Sequence, residues 1–189
     1  MSSSCIGILA LQGAFARHQA AVEALGRQTG LVRAPEDLDG LDGLIIPGGE
    51  STVIAKLLSL SGLLEAIKAA AAGGLPIFGT CAGLILLANE VDGLSASGLN
   101  LLDVRVERNG YGRQKDSFTT ELQWRGKAFD CVFIRAPRIL ETGPEVEVLC
   151  SREGEPVFVR QGAILASAFH PELTDNPEIH RYFLDEVCL

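Results

Sequence analysis

Short apolar runs alternate with segments of helical periodicity in the first half of the chain. Residues 5–11 form a continuous apolar run, which is typical of a strand buried on both faces of a parallel sheet. The pattern predicts helices over residues 14–28, 51–60 and 63–72, and two more strands over 44–46 and 75–79. Ser51 is the expected N-cap of the second helix. Strands separated by helices indicate βαβ units and a parallel sheet.

The second half has a different pattern. Its strand-like segments are separated by Gly, Pro and charged turns, and they cover residues 99–107, 128–135, 146–151, 156–160 and 163–168. They predict an antiparallel or mixed extension of the sheet, followed by a last helix over 176–187. Because the sequence has no internal repeat, low-complexity tract or linker, we expect residues 1–189 to form a single α/β domain with a mixed, mostly parallel central sheet.

The composition narrows the class of protein. Hydrophobic residues make up 47% of the 189 residues and charged residues 21%, which disfavours disorder. A formal net charge of −8 argues against a dedicated nucleic-acid binder. The apolar run at residues 5–11 is too short to span a bilayer, and no targeting signal precedes it. Five scattered cysteines without C-x-x-C spacing disfavour a disulfide framework and a zinc site, so we expect a reduced, cytoplasmic protein.

The most informative segment places Cys81 between Gly79 and Gly83, where a predicted strand passes into a helix. This is the pattern of a nucleophile elbow, a sharp turn that exposes a nucleophile at the end of a strand. A helix N-terminus also favours the thiolate, which is the reactive form of cysteine. The alternative is a buried cysteine on an ordinary turn. That alternative is the better interpretation for the other four cysteines, three of which lie within strand patterns.

A cysteine nucleophile needs a base and a group that orients the base. His170 follows a predicted strand and opens the loop His-Pro-Glu, so that Glu172 could hold its imidazole in one tautomer. A loop histidine beside a solvated glutamate is the alternative. The other two histidines, His18 and His180, lie in helical patterns and are expected to face solvent.

An acyl-transfer site also needs donors for an oxyanion. Gly48 and Gly49 follow a predicted strand, at the edge where open α/β sheets bind ligands. A backbone N–H there and the N–H of Ala82 could supply two donors. A tight turn that leads into a helix would look the same.

A basic cluster surrounds residues 109–112 and contains Arg105, Arg108, Arg113 and Lys115. Such a cluster is usually a solvated loop. One of these arginines could instead bind a substrate carboxylate, but the residues by themselves do not indicate which.

Taken together, these motifs resemble the class I (triad) glutamine amidotransferases and, within them, the glutaminase subunits of pyridoxal 5′-phosphate synthase. The matching stretches run in order along nearly the whole chain, at residues 7–15, 46–52, 79–88, 106–114, 133–137 and 170–172. The GTCAG and HPE elements are common to triad glutaminases. The stretches LALQGAF, RNGYGRQ and FIRAP resemble those of this subfamily and narrow the resemblance to it.

The resemblance implies a three-layer, flavodoxin-like fold and a Cys-His-Glu triad. Cys81 would be the nucleophile, His170 the general base and acid, and Glu172 its orienting partner. The glutamine contacts implied in the same way are Gly48, Gly49, Glu50, Arg108, Ile134 and Arg135, and the oxyanion site would involve Gly48, Ala82 and Gln12. Gly110 stands where the family usually has a serine, a departure that removes no catalytic group.

The implied reaction is hydrolysis of L-glutamine to L-glutamate and ammonia through a thioester, which needs no cofactor or metal. Because the motifs occupy the whole chain, the ammonia acceptor is expected on another chain, which in the family is a (β/α)₈-barrel synthase subunit that makes pyridoxal 5′-phosphate (vitamin B6).

Three alternatives remain. A cysteine hydrolase of a flavodoxin-like family would place its histidine beside the elbow. A glutaminase of another pathway would not be expected to carry RNGYGRQ and FIRAP. A non-catalytic regulatory subunit would be expected to lack one of the triad residues, and all three are present.

Overall fold

Twelve strands and five α-helices occur in the residues that the computed structural model describes, 5–93, 98–111 and 117–188. The strands are β1 (Cys5–Leu9), β2 (Gln28–Val32), β3 (Gly43–Ile46), β4 (Ile77–Thr80), β5 (Ala88–Asp92), β6 (Leu102–Glu107), β7 (Ser117–Trp124), β8 (Lys127–Ile134), β9 (Arg138–Thr142), β10 (Glu147–Arg152), β11 (Glu155–Gln161) and β12 (Ile164–Ser167). The helices are α1 (Phe15–Ala24), α2 (Ser51–Ser61), α3 (Leu63–Ala72), α4 (Ala82–Leu87) and α5 (Glu178–Tyr182).

The central sheet has seven strands in the order β10-β11-β12-β4-β3-β1-β2. The five strands from β12 to β2 pair in parallel, whereas β10 and β11 extend the sheet in antiparallel fashion. The predicted α/β fold with a mixed, mostly parallel sheet is therefore confirmed. Two smaller sheets, β5-β6-β9 and β7-β8, complete the described strands.

Four neighbouring parallel strands bring the predicted motifs to one edge of the central sheet. Gln12 follows β1, Gly48 follows β3, Cys81 follows β4 and His170 follows β12. The carboxyl ends of parallel strands meet at the same edge, which is where open α/β sheets bind ligands. The parallel order β12-β4-β3-β1 thus assembles a site from segments that are far apart in the sequence.

The core is built from the continuous apolar runs that predicted the central strands. Each residue of β3, β4 and β12 is buried. The largest fully buried side chains include five phenylalanines, Phe78, Phe133, Phe158, Phe169 and Phe183. None of the helices among the described residues is both long enough and apolar enough to cross a membrane.

Several element boundaries differ from the sequence predictions. The first helix ends at Ala24 rather than at residue 28, because Gly26 adopts a left-handed conformation (φ 77°) that terminates helices. The chain then enters β2, an edge strand that the periodicity did not reveal. Strands β5, β7 and β9 were also not predicted.

The prediction that Ser51 caps α2 was wrong. Ser51 is the first helical residue and Glu50 occupies the N-cap position without a side-chain capping bond. The backbone N–H of Glu50 is instead satisfied by the Oε1 atom of Gln12, at 2.8 Å. A side chain that is distant in the sequence therefore binds the N-cap residue through that residue's own N–H.

Candidate active site

Cys81 lies at a strained turn between β4 and α4. Its backbone has φ 50° and ψ −101°, a conformation that is unfavourable for residues other than glycine. The turn is held by a hydrogen bond from the Cys81 N–H to the Ser167 carbonyl oxygen on β12 (2.8 Å) and by one from the Ile85 N–H to the Cys81 carbonyl oxygen (3.2 Å). The Cys81 side chain is nearly buried. Strain that neighbouring strands maintain at one residue is typical of functional sites.

The two glycines that flank Cys81 are required by close packing. A Cβ atom on Gly79 would lie 2.7 Å from the carbonyl carbon of Gly83. A Cβ atom on Gly83 would overlap the carbonyl oxygen of Ile46, at the end of β3. The Gly-x-Cys-x-Gly spacing therefore lets α4 start directly against the sheet, which aims its N-terminus at the thiol.

His170 and Glu172 form a buried pair beside this turn. The backbone N–H of His170 donates to the Val132 carbonyl oxygen on β8 at 2.8 Å, which fixes the start of the His-Pro-Glu loop. The Nδ1 atom of His170 lies 2.7 Å from Oε1 of Glu172, and both residues are buried. A carboxylate at this distance holds the imidazole with its Nδ1 proton toward Glu172, leaving Nε2 for chemistry.

The imidazole of His170 also faces Cys81. Burial by itself would lower the pKa of His170, but interactions with the side chains of Cys81 and Glu172 raise the pKa to about 10. The pKa of Glu172 is lowered because its interactions with His18 and His170 outweigh the effect of burial. At neutral pH the raised pKa of His170 favours a charged imidazole between the Glu172 carboxylate and the sulfur of Cys81, and the thiolate is the nucleophilic form of cysteine.

Two glycine-containing loops interlock in front of the imidazole. A Cβ atom on Gly48 would lie 2.5 Å from Cε1 of His170 and 3.4 Å from Cβ of Cys81. The Gly48 carbonyl oxygen accepts a hydrogen bond from the Ala14 N–H (3.1 Å). Gly13 has a φ of 106°, and a Cβ there would overlap the same carbonyl oxygen. The loop after β1 and the loop after β3 are therefore fixed to each other.

All eleven predicted site residues line a single cavity of about 420 Å³. They are Gln12, Gly48, Gly49, Glu50, Cys81, Ala82, Arg108, Ile134, Arg135, His170 and Glu172. Arg108 donates from Nη2 to Oε1 of Glu50 at 3.1 Å, so that opposite charges stand side by side at the cavity. The Ile134 carbonyl oxygen lies 3.8 Å from the Cys81 sulfur, and Arg135 has a φ of 43°.

Comparisons with known proteins agree with this geometry. Residues 8–189 match the model of the SNO glutamine amidotransferase family. The chain belongs to this family. It is 51% identical over 184 residues to the pyridoxal 5′-phosphate synthase subunit PdxT of Geobacillus thermodenitrificans, covering 96% of this chain and 94% of the relative. It is also 51% identical over 185 residues to PdxT of Thermotoga neapolitana, with 96% and 98% covered.

Solved structures give the same result. A crystal structure of a glutamine amidotransferase has a TM-score of 0.93 and 48% sequence identity, and the match covers 97% of this chain and 98% of the other. A glutamine amidotransferase of Thermotoga maritima has a TM-score of 0.66 at 12% identity, with 96% and 83% covered, and shows likeness of fold alone. The family resemblance and the amidotransferase fold predicted from the sequence are thereby confirmed.

Within this family fold, the basic cluster divides into residues with different environments. Arg108 points to Glu50 at the cavity, whereas Arg105 is bound to Asp92 and Glu141 at exposed positions. Arg113 and Lys115 lie outside the described residues. Of the two arginines described, Arg108 lines the cavity and Arg105 does not, so Arg108 stays the predicted carboxylate-binding residue.

The expectation that His18 and His180 face solvent was wrong. Both side chains are fully or almost fully buried, and they lie behind Glu172 on the side away from the cavity. Helical spacing held a signal for this placement. His18 precedes the buried Val22 by four residues, and His180 precedes the buried Phe183 by three, so each shares a face with a core residue.

Proposed function

We propose that this chain is a glutaminase, which hydrolyses L-glutamine to L-glutamate and ammonia with Cys81, His170 and Glu172 as its triad. The observation that carries the proposal is the convergence of the Cys81 turn and the His170–Glu172 pair on one cavity, although the two segments are about ninety residues apart in the sequence. Membership of the family supports the same reaction.

In the first half of the reaction, the Cys81 thiolate attacks the side-chain amide carbon of glutamine. The carbonyl oxygen becomes an oxyanion, for which the N–H of Ala82 at the start of α4 and a backbone N–H at Gly48 are the proposed donors. The protonated His170 gives its Nε2 proton to the leaving nitrogen. Ammonia departs and a γ-glutamyl thioester remains on Cys81.

In the second half, His170 takes a proton from water as the water attacks the thioester. The second tetrahedral intermediate collapses with loss of the cysteine sulfur, and L-glutamate is released. Glu172 holds the Nδ1 proton of His170 throughout, so that the same Nε2 atom can give and then take the proton. No step in this sequence needs electrons from outside the site.

Substrate recognition is assigned to the mouth of the cavity. An amino acid presents an ammonium and a carboxylate, and Glu50 and Arg108 offer the complementary charges at adjacent positions. Gly49, Ile134 and Arg135 complete the proposed contacts. Gln12 is proposed to lie near the oxyanion site, and the hydrogen bond that it accepts from the Glu50 N–H supports this.

The ammonia is proposed to pass to a synthase subunit that makes pyridoxal 5′-phosphate, since relatives that are 51% identical over 96% of this chain are named as subunits of that synthase. We further propose that this partner is a (β/α)₈ barrel and that the two form a hetero-oligomer. The buried core that joins the three sheets supports a single glutaminase domain over residues 1–189. A cytoplasmic location stays a prediction.

Glutamate release from L-glutamine tests the proposal, measured for the purified chain alone and with the barrel subunit, beside a Cys81→Ala control. Release that rises with the partner and disappears in the control is the expected result. No release under either condition, from a folded chain and a barrel subunit that works with added ammonium, would contradict the assigned substrate or partner.

A further inference from the structure

The Glu172 carboxylate has two oxygen atoms in different environments. Oε1 pairs with His170, as described above. Oε2 is fully buried and makes no hydrogen bond to any described residue, although the Nε2 atom of His18 lies only 3.3 Å away. A buried carboxylate oxygen without a donor is strongly unfavourable, so the nearest donor at that position matters to the triad.

His18 on α1 belongs to a small polar cluster inside the core. Its side chain is fully buried. Its Nε2 atom lies 3.2 Å from the Thr80 hydroxyl oxygen at the end of β4, and its Nδ1 atom lies 3.0 Å from Nε2 of His180 on α5. The titratable groups around His18 are therefore Glu172, His170 and His180.

The chemistry of the cluster determines where its protons lie. Burial lowers the pKa of His18 despite the nearby Glu172 carboxylate, and burial lowers the pKa of His180 to about 3. Both rings are therefore neutral near pH 7, each with a single N–H. Because a carboxylate oxygen can only accept, the His18 proton belongs on Nε2, toward Glu172 and Thr80. The Nδ1 atom of His18 then accepts from the Nε2–H of His180.

We infer that His18 is a positioning residue for Glu172. The Nε2–H of His18 holds the Oε2 atom of Glu172, while the Oε1 atom of the same carboxylate holds His170. His180 in turn fixes the tautomer of His18. This inference rests on the proposed function, because it concerns the carboxylate of the proposed triad. His18 touches neither the substrate nor Cys81. It acts through Glu172, whose orientation sets the orientation of the His170 imidazole.

Three substitutions separate this role from simple core packing. His18→Gln places an amide N–H where Nε2 stood, His18→Asn reaches only the Nδ1 position, and His18→Leu removes both polar atoms. With the partner subunit present, we expect kcat to fall about tenfold to a hundredfold in His18→Asn and His18→Leu, as when outer partners of metal-bound histidines are removed. The KM for glutamine should stay nearly unchanged, and His18→Gln should recover most of kcat.

The outcomes are distinct. Equal kcat values for His18→Gln and His18→Asn in folded proteins, whether high or low, would overturn the inference. If the parent chain with a competent partner releases no glutamate, the proposed function has failed instead. Circular dichroism and thermal unfolding establish that each variant is folded.

Nitrogen-15 NMR of the histidine rings in the unsubstituted full chain gives a second measurement that needs neither turnover nor a variant. The expected result near pH 7 is a neutral His18 with its proton on Nε2. A neutral His18 with its proton on Nδ1, or a charged His18, would overturn the inference even if the substituted chains failed to fold.

Discussion

The two sides of Glu172 place the same residue type in opposite electrostatic situations. On the cavity side, His170 is buried but stands between Cys81 and a carboxylate oxygen, and its pKa is raised to about 10. On the core side, His18 and His180 are buried beside each other, and their pKa values are lowered. Burial disfavours the charged form in all three cases. The interactions of His170 with the side chains of Cys81 and Glu172, which outweigh its burial, are therefore what separates it from the two histidines on the core side.

The largest expected effect comes from neutralising the carboxylate that separates the two sides. Glu172→Gln keeps the shape of the side chain but removes its charge, so His170 loses its anionic acceptor and, with it, part of the cause of its raised pKa. We expect kcat to fall by ~10³- to 10⁴-fold, as in serine triads that lose their carboxylate. Steady-state kinetics of glutamate release measure this, and a loss of less than tenfold would contradict the role of Glu172.

A smaller effect is expected at the cavity mouth, where substitution should change substrate affinity. Arg108→Ala removes a charged hydrogen-bond donor, and a charged bond of this kind contributes about 1.5–3 kcal/mol. The KM for glutamine should therefore rise about tenfold to a hundredfold, with a lesser change in kcat. Arg105→Ala is the matched control, because its exposed ion pairs lie away from the cavity, and its KM should change by less than about twofold.

The buried His180 on the core side of Glu172 should make the free energy of unfolding depend on pH in the acidic range. Ordinary histidine in the unfolded chain has a pKa of about 6.5, whereas the pKa of His180 in the folded chain is about 3. Between these values the unfolded chain binds more protons, so the free energy of unfolding falls as the pH falls from about 6.5 toward 3. The contribution of the neutral His180 to the free energy of unfolding is fully present above pH 6.5 and is on the order of a few kcal/mol.

Urea unfolding between pH 7 and pH 4 measures this contribution. His180→Phe keeps a ring beside Phe78 but cannot take a proton, so its free energy of unfolding should fall less steeply with acid than that of the parent chain. Parallel pH dependence in the two proteins would mean that His180 does not titrate on unfolding.

The smallest expected effect is a difference in NMR titration. The ring signals of His170 should show a charged imidazole up to about pH 10, where its pKa lies, while His180 stays neutral at pH 6 and His18 titrates below the ordinary histidine pKa. A His170 that loses its proton near its ordinary pKa of about 6.5 would remove the contrast between the two sides.

What the sequence could predict depended on whether the signal was local. The glycines at 79 and 83 mark the elbow because the turn itself excludes a Cβ, and Pro171 and Glu172 sit within two residues of the histidine they support. The continuous apolar runs predicted β1, β3, β4 and β12, which place these motifs at one sheet edge. Those features need only neighbouring residues to be recognised.

Features made by distant residues were missed or misjudged. Gln12 accepts a hydrogen bond from the N–H of Glu50, the N-cap residue of α2, a contact between two loops that the local pattern at Ser51 did not indicate. His18 and His180 meet across 162 positions of sequence, and helical spacing could place each on a core face but could not show that they would meet. Among the described strands, β7 pairs with β8 alone, and its mostly polar sequence carries little sign of that partner.

Covalent labelling of Cys81 tests the central claim most directly. A glutamine analogue that carries an electrophilic diazoketone in place of the amide should label the chain once, and peptide mass spectrometry should locate the adduct on Cys81. L-Glutamine should protect the chain, and Cys81→Ala should remain unlabelled. Labelling at another residue, or labelling of Cys81 that excess glutamine does not slow, would contradict a glutaminase site at this cysteine.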